Sequence, residues 1–484
     1  MLSSKNHLVI ITIILICGIL FFLGLNKRGL WVPDETRYLA VSKEILDSGD
    51  WITLRLNGAI YREKPPVFFW LISISALLFG RFSEFSARLP SAIAGLGGIL
   101  ITYLFAQKLF NKKVAFLSSL ILVSSLAYFA ASRWVILDPV LTFFAIAAIY
   151  LFYLGLTEQK KRTTTYILAF ISMALGTLTK GPVGFILPLL VIIIYAYSVK
   201  NLRSVFTRGF FWGFILFLLI ILSWLLPACL QGGEGYTRQL LLKQIFGRYF
   251  KAFSHKEPLY FYFVRFPVEF LPWTFFLPSA TLYLIKNKIN ESKVKFIFIW
   301  FASIFIFFTF SASKNDLYIL PAYPAAAMAV AYYWENRLSQ RPRFFVYIVS
   351  FVVILNTILT CGILPTFDKY KSTKYFSQDI VRHVKSGEQL TTFQISPTHW
   401  LYYCDRRQIE EIDDYSKLNE YLKSEGRVFC IIEDNKYEEF KHSYKTDTYM
   451  LTNAPFSLKI KLRKNFKVEL KPKKVFVLVS NRFE

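Results

Sequence analysis

The chain has 484 residues, of which 54% are hydrophobic and only 18% are charged, and its formal net charge is +25. Soluble chains carry about 25% charged residues, so this composition excludes an ordinary soluble globular protein. The basic excess is typical of the Lys- and Arg-rich loops of membrane proteins, and no nucleic-acid partner is predicted. The five cysteines show no metal-type spacing, but Cys404 and Cys430 could pair if their region is extracytoplasmic.

Long apolar runs alternate with short basic ones along the chain. We interpret the first run as an uncleaved span rather than a signal peptide, because Lys27 and Arg28 follow it directly. A helix needs about 20 residues to cross the hydrocarbon core. By that measure the sequence predicts about eleven transmembrane helices, at residues 8–25, 89–110, 114–132, 140–157, 164–179, 183–199, 209–228, 266–285, 295–312, 317–334 and 343–364.

The apolar run over residues 67–80 is shorter than a full crossing and predicts an interfacial helix. If it does not cross and the N-terminus is cytoplasmic, every inner loop is rich in Lys and Arg, as the positive-inside rule requires. The loop over residues 26–88 then lies outside. We therefore predict a membrane domain over 1–365, with a structured outer loop over 26–88 that contains interfacial helices.

The composition changes beyond residue 365, where polar and charged residues dominate. Apolar residues repeat at helical spacing over 376–384, and the runs at 428–432 and 475–479 are typical of buried strands. The sequence therefore predicts a small soluble α/β domain over residues 366–484, outside the membrane. The fold class expected for the whole chain is an all-α polytopic membrane protein with this domain attached.

Four short polar motifs fall at the predicted outer face: Pro33–Tyr38, Tyr61–Pro66, Arg133–Pro139 and Lys180–Pro182. Each has an ordinary structural explanation, such as a helix cap, a turn or a basic side chain reaching for the membrane surface. Together they bring two acids and three cations to one membrane face: Asp34, Asp138, Arg37, Lys64 and Lys180. Such a set suits displacement of a phosphate leaving group, with cations stabilising the phosphate and a carboxylate activating the nucleophile.

A divalent metal ion is a further possibility. The predicted outer loop over residues 229–265 is unusually basic, which would suit an anionic acceptor or lipid. Its His255 could join Glu63 and Asp138 around a divalent ion. A lone histidine is more often structural, so both interpretations stay open.

The order of the motifs resembles the ArnT-like branch of the GT-C glycosyltransferases, which are relatives of the protein O-mannosyltransferases. The resemblance covers nearly the whole chain and rests on Asp34-Glu35-x-Arg37-Tyr38, Gly49-Asp50-Trp51, Leu56-Asn57-Gly58, Tyr61-x-Glu63-Lys64-Pro65-Pro66, Ala87–Ala92, Asp138, Leu178–Pro182, Ser311–Lys314 and Leu320–Pro324. It implies a GT-C fold and an inverting enzyme that moves a sugar from an undecaprenyl (polyprenyl) phosphate carrier to an acceptor. The reaction would take place on the periplasmic face of the bacterial inner membrane.

The resemblance also implies roles for single residues. The catalytic acids would be Asp34 and Asp138, the donor phosphate would be held by Arg37, Tyr38, Tyr61, Lys64 and Lys180, and zinc would be held by Glu63, Asp138 and, more loosely, His255. The implied partners are the lipid-linked sugar, an anionic lipid or glycan acceptor and the membrane, with the protein as a monomer.

In this branch the sugar is aminoarabinose and the acceptor is lipid A or lipopolysaccharide. Relatives use other sugars and transfer them to protein or other glycans, so a mannosyltransferase-like enzyme is the alternative. A membrane lipid transporter would need ionisable residues near the middle of its spans, whereas the predicted spans are almost wholly apolar. A structural subunit would leave the ordered motifs unexplained.

Overall fold

The computed structural model describes residues 4–238, 257–462 and 468–483. The helices of the first range are α1 (Ser4–Cys17), α2 (Asp34–Ser48), α3 (Val67–Leu78), α4 (Glu84–Leu109), α5 (Lys112–Ser124), α6 (Leu126–Ala131), α7 (Asp138–Thr157), α8 (Arg162–Lys180), α9 (Val183–Ser198) and α10 (Arg208–Arg238). Those that follow are α11 (Phe261–Glu269), α12 (Leu277–Lys288), α13 (Ser292–Thr309), α14 (Tyr323–Tyr333), α15 (Pro342–Ile358), α16 (Leu364–Thr366), α17 (Asp368–Lys371), α18 (Lys374–His383), α19 (Tyr415–Leu422) and α20 (Asp434–Ser443).

Short helical segments of other types connect or extend these helices. The π-helical segments are Gly18–Phe22, Trp334–Leu338 and Leu359–Ile363. The 3-10 segments are Gln159–Lys161, Leu202–Ser204, Trp273–Phe275, Asp316–Ala322 and Pro397–His399.

Within the described residues, five helices are long and apolar enough to cross a membrane: Glu84–Leu109, Asp138–Thr157, Arg208–Gly233, Ser292–Thr309 and Pro342–Thr366. A sixth is reached if the bent pair α11 and α12 forms one span. Exposed apolar side chains such as Phe211, Trp212 and Phe351 cover two of these helices, as a lipid-facing surface requires. The polytopic helical class is confirmed, whereas the number of about eleven crossings is not.

The span predicted at 266–285 is not one continuous helix. α11 ends at Glu269, and its axis makes an angle of 115° with the helical segment Trp273–Lys288. Pro272 lies between the two and has no N–H group to continue the helical hydrogen bonds. A hydropathy window does not register this break, because the residues on both sides of it are apolar.

The short apolar run at 67–80 forms α3, whose 12 residues are too few for a crossing. α3 packs against both α2 and α4. The predicted apolar face of α2 is buried through Tyr38, Val41 and Ile45. Between α2 and α3 along the chain lies a β-hairpin, formed by β1 (Arg55–Leu56) and β2 (Ala59–Ile60). The first loop, residues 26–88, is therefore a folded unit.

The C-terminal region, from residue 366 onward, contains a five-stranded mixed sheet. Its strands are β3 (Gln389–Phe393), β4 (Glu410–Ile412), β5 (Val428–Glu433), β6 (Tyr449–Leu462) and β7 (Val468–Ser480), in the spatial order β4-β3-β5-β7-β6. β3 is parallel to β4 and β5, and β7 is antiparallel to β5 and β6. This architecture confirms the predicted α/β character of the region. All five cysteines are free, so Cys404 and Cys430 do not pair.

Candidate active site

A buried charge network fixes the start of the first loop. The Glu35 carboxylate accepts hydrogen bonds from Arg28 at 2.8 and 3.0 Å and from Arg88 at 3.0 and 3.1 Å. It also accepts the backbone N–H groups of Trp31 and Val135 at 2.8 and 3.1 Å. Burial alone would raise the pKa of Glu35, but the two guanidinium groups outweigh it and lower the pKa to about 2.

This network was not predicted from the sequence, where Glu35 and Arg88 were only members of motifs without a role. Arg88 comes from α4 and also donates to the carbonyl groups of Leu25, Arg28 and Gly29. The network therefore ties residues 25–29, which follow α1, to the start of α2 and the second turn of α4. Because Glu35 is fixed in this network, the adjacent Asp34 is held in a defined orientation at the start of α2.

The first turn of α2 carries a second, more accessible cluster. Arg37 lies 2.5 Å from the Asp34 carboxylate and 3.2 Å from that of Glu63. The side chain of Asp34 is 50% exposed, in contrast to that of Glu35, which is buried. The Nε atom of Arg37 is buried without a hydrogen-bond partner in the described part of the chain. A buried N–H donor of this kind is suited to an anionic ligand.

Two buried tyrosines lie beside Arg37. Tyr38 and Tyr61 are both buried and both contact Phe69 edge-to-face. Burial, with the nearby carboxylates of Asp34 and Asp138, raises the pKa of Tyr38 well above its usual range, and Arg37 opposes this effect. Tyr38 therefore lies within electrostatic reach of both predicted catalytic acids.

The second predicted acid, Asp138, is the first residue of α7 and is buried. It is ion-paired with Lys180, the last residue of α8. Gly181 follows with φ +95°, a conformation that favours glycine, and ends the helix there. The Lys180 Nζ atom lies 4.3 Å from the centre of the Tyr318 ring, a cation–π contact that the sequence did not indicate.

The C-terminal region reaches the same cluster. The 3-10 turn Pro397–His399 packs against α2, and the Nδ1 atom of His399 is buried without a hydrogen-bond partner among the residues described. Burial, with smaller effects from Arg37 and Lys474, lowers the pKa of His399 to about 4. A neutral imidazole therefore lies near Arg37, a contribution that the sequence analysis missed.

Within the described residues, Glu63 and Asp138 are not part of a three-ligand metal site. Glu63 is paired with Arg37, and Asp138 is paired with Lys180, so both predicted carboxylate ligands already have a cation. In residues 4–238, 257–462 and 468–483, no three His, Cys, Asp or Glu side chains form a group that could hold a metal ion. His255 lies outside the described residues.

The structure thus brings most predicted site residues to one end of the helical bundle. Asp34, Arg37 and Glu63 form one chain of ion pairs, and Asp138 with Lys180 forms a second. Lys64 follows Glu63 and is buried.

Comparisons with known proteins show which family the chain resembles. The family model of the dolichyl-phosphate-mannose-protein mannosyltransferases matches residues 6–231. An uncharacterized protein from Aquifex aeolicus is 30% identical over 375 residues, which are 77% of this chain and 72% of that protein. The undecaprenyl phosphate-alpha-4-amino-4-deoxy-L-arabinose arabinosyl transferase of Wigglesworthia glossinidia brevipalpis is 30% identical over 396 residues, 78% of this chain and 67% of that enzyme. The corresponding transferase 2 of Proteus mirabilis is also 30% identical, but only 60% of its length is spanned.

The crystal structure of ArnT from Cupriavidus metallidurans bound to undecaprenyl phosphate superposes with a TM-score of 0.78 at 18% sequence identity. The superposition covers 100% of this chain and 99% of that one, which establishes a common fold. The family model and the named relatives define the class as a membrane glycosyltransferase. Within that class, the chain belongs to the family of the undecaprenyl phosphate-aminoarabinose arabinosyl transferases, as the sequence analysis predicted.

Proposed function

We propose that the protein is an inverting glycosyltransferase that moves a sugar from undecaprenyl phosphate to an extracytoplasmic acceptor. The sugar is of the aminoarabinose type and the acceptor is lipid A or another part of lipopolysaccharide. The observation that carries the proposal is the cluster of an exposed acid, Asp34, and fixed cations at one end of an apolar helical bundle. The family relatives that are named for this reaction support it.

The reaction breaks the bond between the anomeric carbon of the sugar and the phosphate oxygen of the carrier. A new bond forms between that carbon and an oxygen of the acceptor, and the undecaprenyl phosphate leaves with the electron pair of the broken bond. The departing phosphate gains negative charge, so cations that face it stabilise the transition state more than the ground state. A hydroxyl acceptor must in addition lose a proton, whereas an acceptor phosphate already carries its charge.

Each site residue has a role in this proposal. Arg37, Lys64 and Lys180 hold the phosphate, with Tyr38 and Tyr61 beside it. The buried Nε–H group of Arg37, which has no partner in the described residues, supplies a donor for this purpose.

Asp34 and Asp138 differ in ways that suit two roles. Asp34 is half exposed and can receive the acceptor, orienting it or taking its proton. Asp138 is buried, and its ion pair holds Lys180 in place. We assign the nucleophile-activating role to Asp34 and the supporting role to Asp138.

The placement in the membrane is part of the proposal. The basic loops between the apolar helices favour a cytoplasmic N-terminus and about eleven crossings in the bacterial inner membrane. The site and the α/β domain over 366–484 then face the periplasm, beyond the membrane domain over 1–365. The chain acts as a monomer on an anionic lipid or glycan acceptor.

The test is a transfer assay with purified protein in proteoliposomes. Undecaprenyl phosphate-linked aminoarabinose is offered with lipid A, and in parallel reactions with a protein acceptor or with undecaprenyl phosphate mannose. Mass spectrometry should show lipid A gaining the mass of one aminoarabinose. A gain only on the protein acceptor, or only from the mannose donor, would favour a mannosyltransferase-like enzyme instead.

The requirement for zinc stays a prediction and has its own test. Chelator treatment followed by dialysis removes bound metal before the transfer assay. A loss of activity that zinc restores would support a role for Glu63, Asp138 and His255 as ligands, and full activity of the metal-free protein would remove it.

A further inference from the structure

The tip of the β1–β2 hairpin is joined to the C-terminal region by two reciprocal hydrogen bonds. The Asn57 side-chain amide donates to the backbone carbonyl of Ile409 at 2.9 Å, and its side-chain oxygen accepts the Ile409 N–H group at 2.8 Å. Ile409 is buried, and 352 residues separate the two partners. One side chain thus satisfies both backbone groups of a residue in another part of the fold.

The backbone of the tip is shaped for this contact. Asn57 and Gly58 have φ values of 56° and 76°, as a tight hairpin turn requires and as Asn-Gly sequences favour. The Gly58 N–H group donates to the Glu44 carboxylate of α2 at 3.2 Å. A Cβ atom at Gly58 would lie 1.8 Å from the Gln408 side chain, so the tip is pressed closely against the C-terminal region.

The hairpin leads directly into the segment that is proposed to hold phosphate. Tyr61 follows β2 and its N–H group donates to the carbonyl of Leu54 at 2.8 Å, which extends the hairpin pairing by one step. Glu63 and Lys64 come two and three residues later. A displacement of the tip is therefore carried along a few residues of backbone to Lys64 and to the Glu63–Arg37 ion pair.

The start of the first loop is also held by the C-terminal region. The Asp368 carboxylate accepts the Gly29 N–H group at 2.6 Å and the indole N–H of Trp31 at 2.8 Å. These two contacts are anchors that lie before and after α2 along the first loop, and a further ion pair joins Lys43 of α2 to Asp405. The anchor at Asp368 lies beside the Glu35 network, whereas the anchor at Asn57 lies on the side of Lys64.

We propose that Asn57 is a positioning residue through which the C-terminal region holds the Tyr61–Lys64 segment in register with Arg37. This inference rests on the proposed function, because it assigns the segment to donor phosphate. It gives the Leu56-Asn57-Gly58 motif a role and explains why a soluble domain accompanies a membrane-embedded transferase. Misplacement of a binding group by about 1 Å can lower the rate of an enzyme by about 10²-fold.

The test compares three variants of the full-length protein in proteoliposomes. Asn57→Gly keeps a residue that tolerates the positive φ but removes both hydrogen bonds, and Asn57→Asp keeps only the bond from the Ile409 N–H. The matched control is Asn481→Gly. Asn481 also bridges backbone segments with three hydrogen bonds of 2.9–3.0 Å, but all of them lie within the C-terminal region.

The KM for the lipid-linked donor should rise about 10-fold or more in Asn57→Gly, less in Asn57→Asp and not at all in Asn481→Gly. The KM for the acceptor should stay constant. A purely structural role would instead lower the active fraction, so kcat would fall with both KM values unchanged. That outcome, or an equal rise of the donor KM in Asn481→Gly, would overturn the proposal.

A second measurement does not depend on activity. Hydrogen exchange of the intact protein should show faster exchange of the amides of residues 59–64 in Asn57→Gly and not in Asn481→Gly. Unchanged protection in Asn57→Gly would overturn the positioning role even if the transferase is active. A different outcome is that the wild-type protein transfers no sugar while the amides of residues 59–64 still exchange faster in Asn57→Gly. The proposed function then fails, but Asn57 still positions the segment through its contact with Ile409.

Discussion

Replacement of Glu35 by glutamine tests the difference between two adjacent acids. Glu35 accepts four guanidinium and two backbone hydrogen bonds inside the protein, from two arginines and from Trp31 and Val135. Glu35→Gln removes the negative charge and turns an amide N–H₂ group toward the arginines. We therefore expect this variant to lose stability, whereas Asp34→Asn should not.

The magnitude follows from the burial of the network. Removal of one partner of a buried ion pair costs about 3–5 kcal/mol, which lowers the ratio of folded to unfolded protein roughly 150- to 5,000-fold. The total stability of a protein is only about 5–15 kcal/mol. Asp34 is half exposed, and its ion pair within the described residues is with Arg37. An exposed ion pair contributes about 0–1 kcal/mol.

The effect should also depend on pH. Because the pKa of Glu35 is lowered to about 2 from its ordinary value of 4.5, its stabilising contribution is fully present above pH 4.5. It is lost as the pH falls from about 4.5 toward 2, where the folded protein takes up the proton. Glu35→Gln should lack this acid-sensitive contribution.

The assay is thermal unfolding of detergent-solubilised protein, followed by tryptophan fluorescence and by size-exclusion chromatography after heating. The account predicts a markedly lower melting temperature for Glu35→Gln and a wild-type melting temperature for Asp34→Asn. A Glu35→Gln protein that melts with the wild type, beside a destabilised Asp34→Asn, would refute the assignment of the structural role to Glu35.

Three further predictions concern the site. Lys180→Met should lower the initial transfer rate at saturating donor at least about 10²-fold, because a cation is lost and Asp138 stays buried without its partner. Lys64→Ala should raise the KM for the donor more than that for the acceptor in the same assay, since a phosphate contact is removed. The melting temperature of the wild-type protein should fall between pH 7 and pH 5, and His399→Gln should make this fall smaller. The folded-state pKa of about 4 lies below the ordinary 6.5, so wild-type stability falls as the pH drops through this range, by about 2 kcal/mol at pH 5. A wild-type rate, an unchanged donor KM or an unchanged pH response would contradict the respective prediction.

Local patterns in the sequence predicted the local structure well. The helix α2 and the strands β5 and β7 were predicted from the spacing of apolar residues. This spacing involves only neighbouring residues, so it can be recognised in a single sequence. The break within the span predicted at 266–285 was missed for the same reason. Hydropathy averages over a window, and a single proline at position 272 changes the chain direction without changing that average.

The site required contacts between distant residues, which no local pattern contains. The motifs predicted that Asp138 and Lys180 lie at one membrane face, but not that they pair with each other across 42 positions. The zinc hypothesis grouped Glu63 with Asp138, whereas in the structure a different cation pairs with each of them. The role of Arg88 was hidden because it lies beside a predicted apolar span, and its ion pair with Glu35 joins residues 53 positions apart.

The role of the C-terminal region was the largest omission. One of its helices and two of its strands were predicted, but its contacts with Gly29 and Asn57 join residues more than 300 positions apart. Asp368, His399 and Ile409 carry no motif that marks them as neighbours of α2 and the hairpin. Their importance follows only from the folded arrangement.

The most direct test of the central claim is to measure donor binding and sugar transfer separately in Asp34→Asn. Binding of undecaprenyl phosphate to the purified variant is measured in detergent, and transfer to lipid A is measured in proteoliposomes by mass spectrometry. The account predicts binding within about threefold of the wild type, because the cations remain, and no detectable transfer. Normal turnover in Asp34→Asn would contradict the assignment of the active site to the acid and cation cluster at the start of α2.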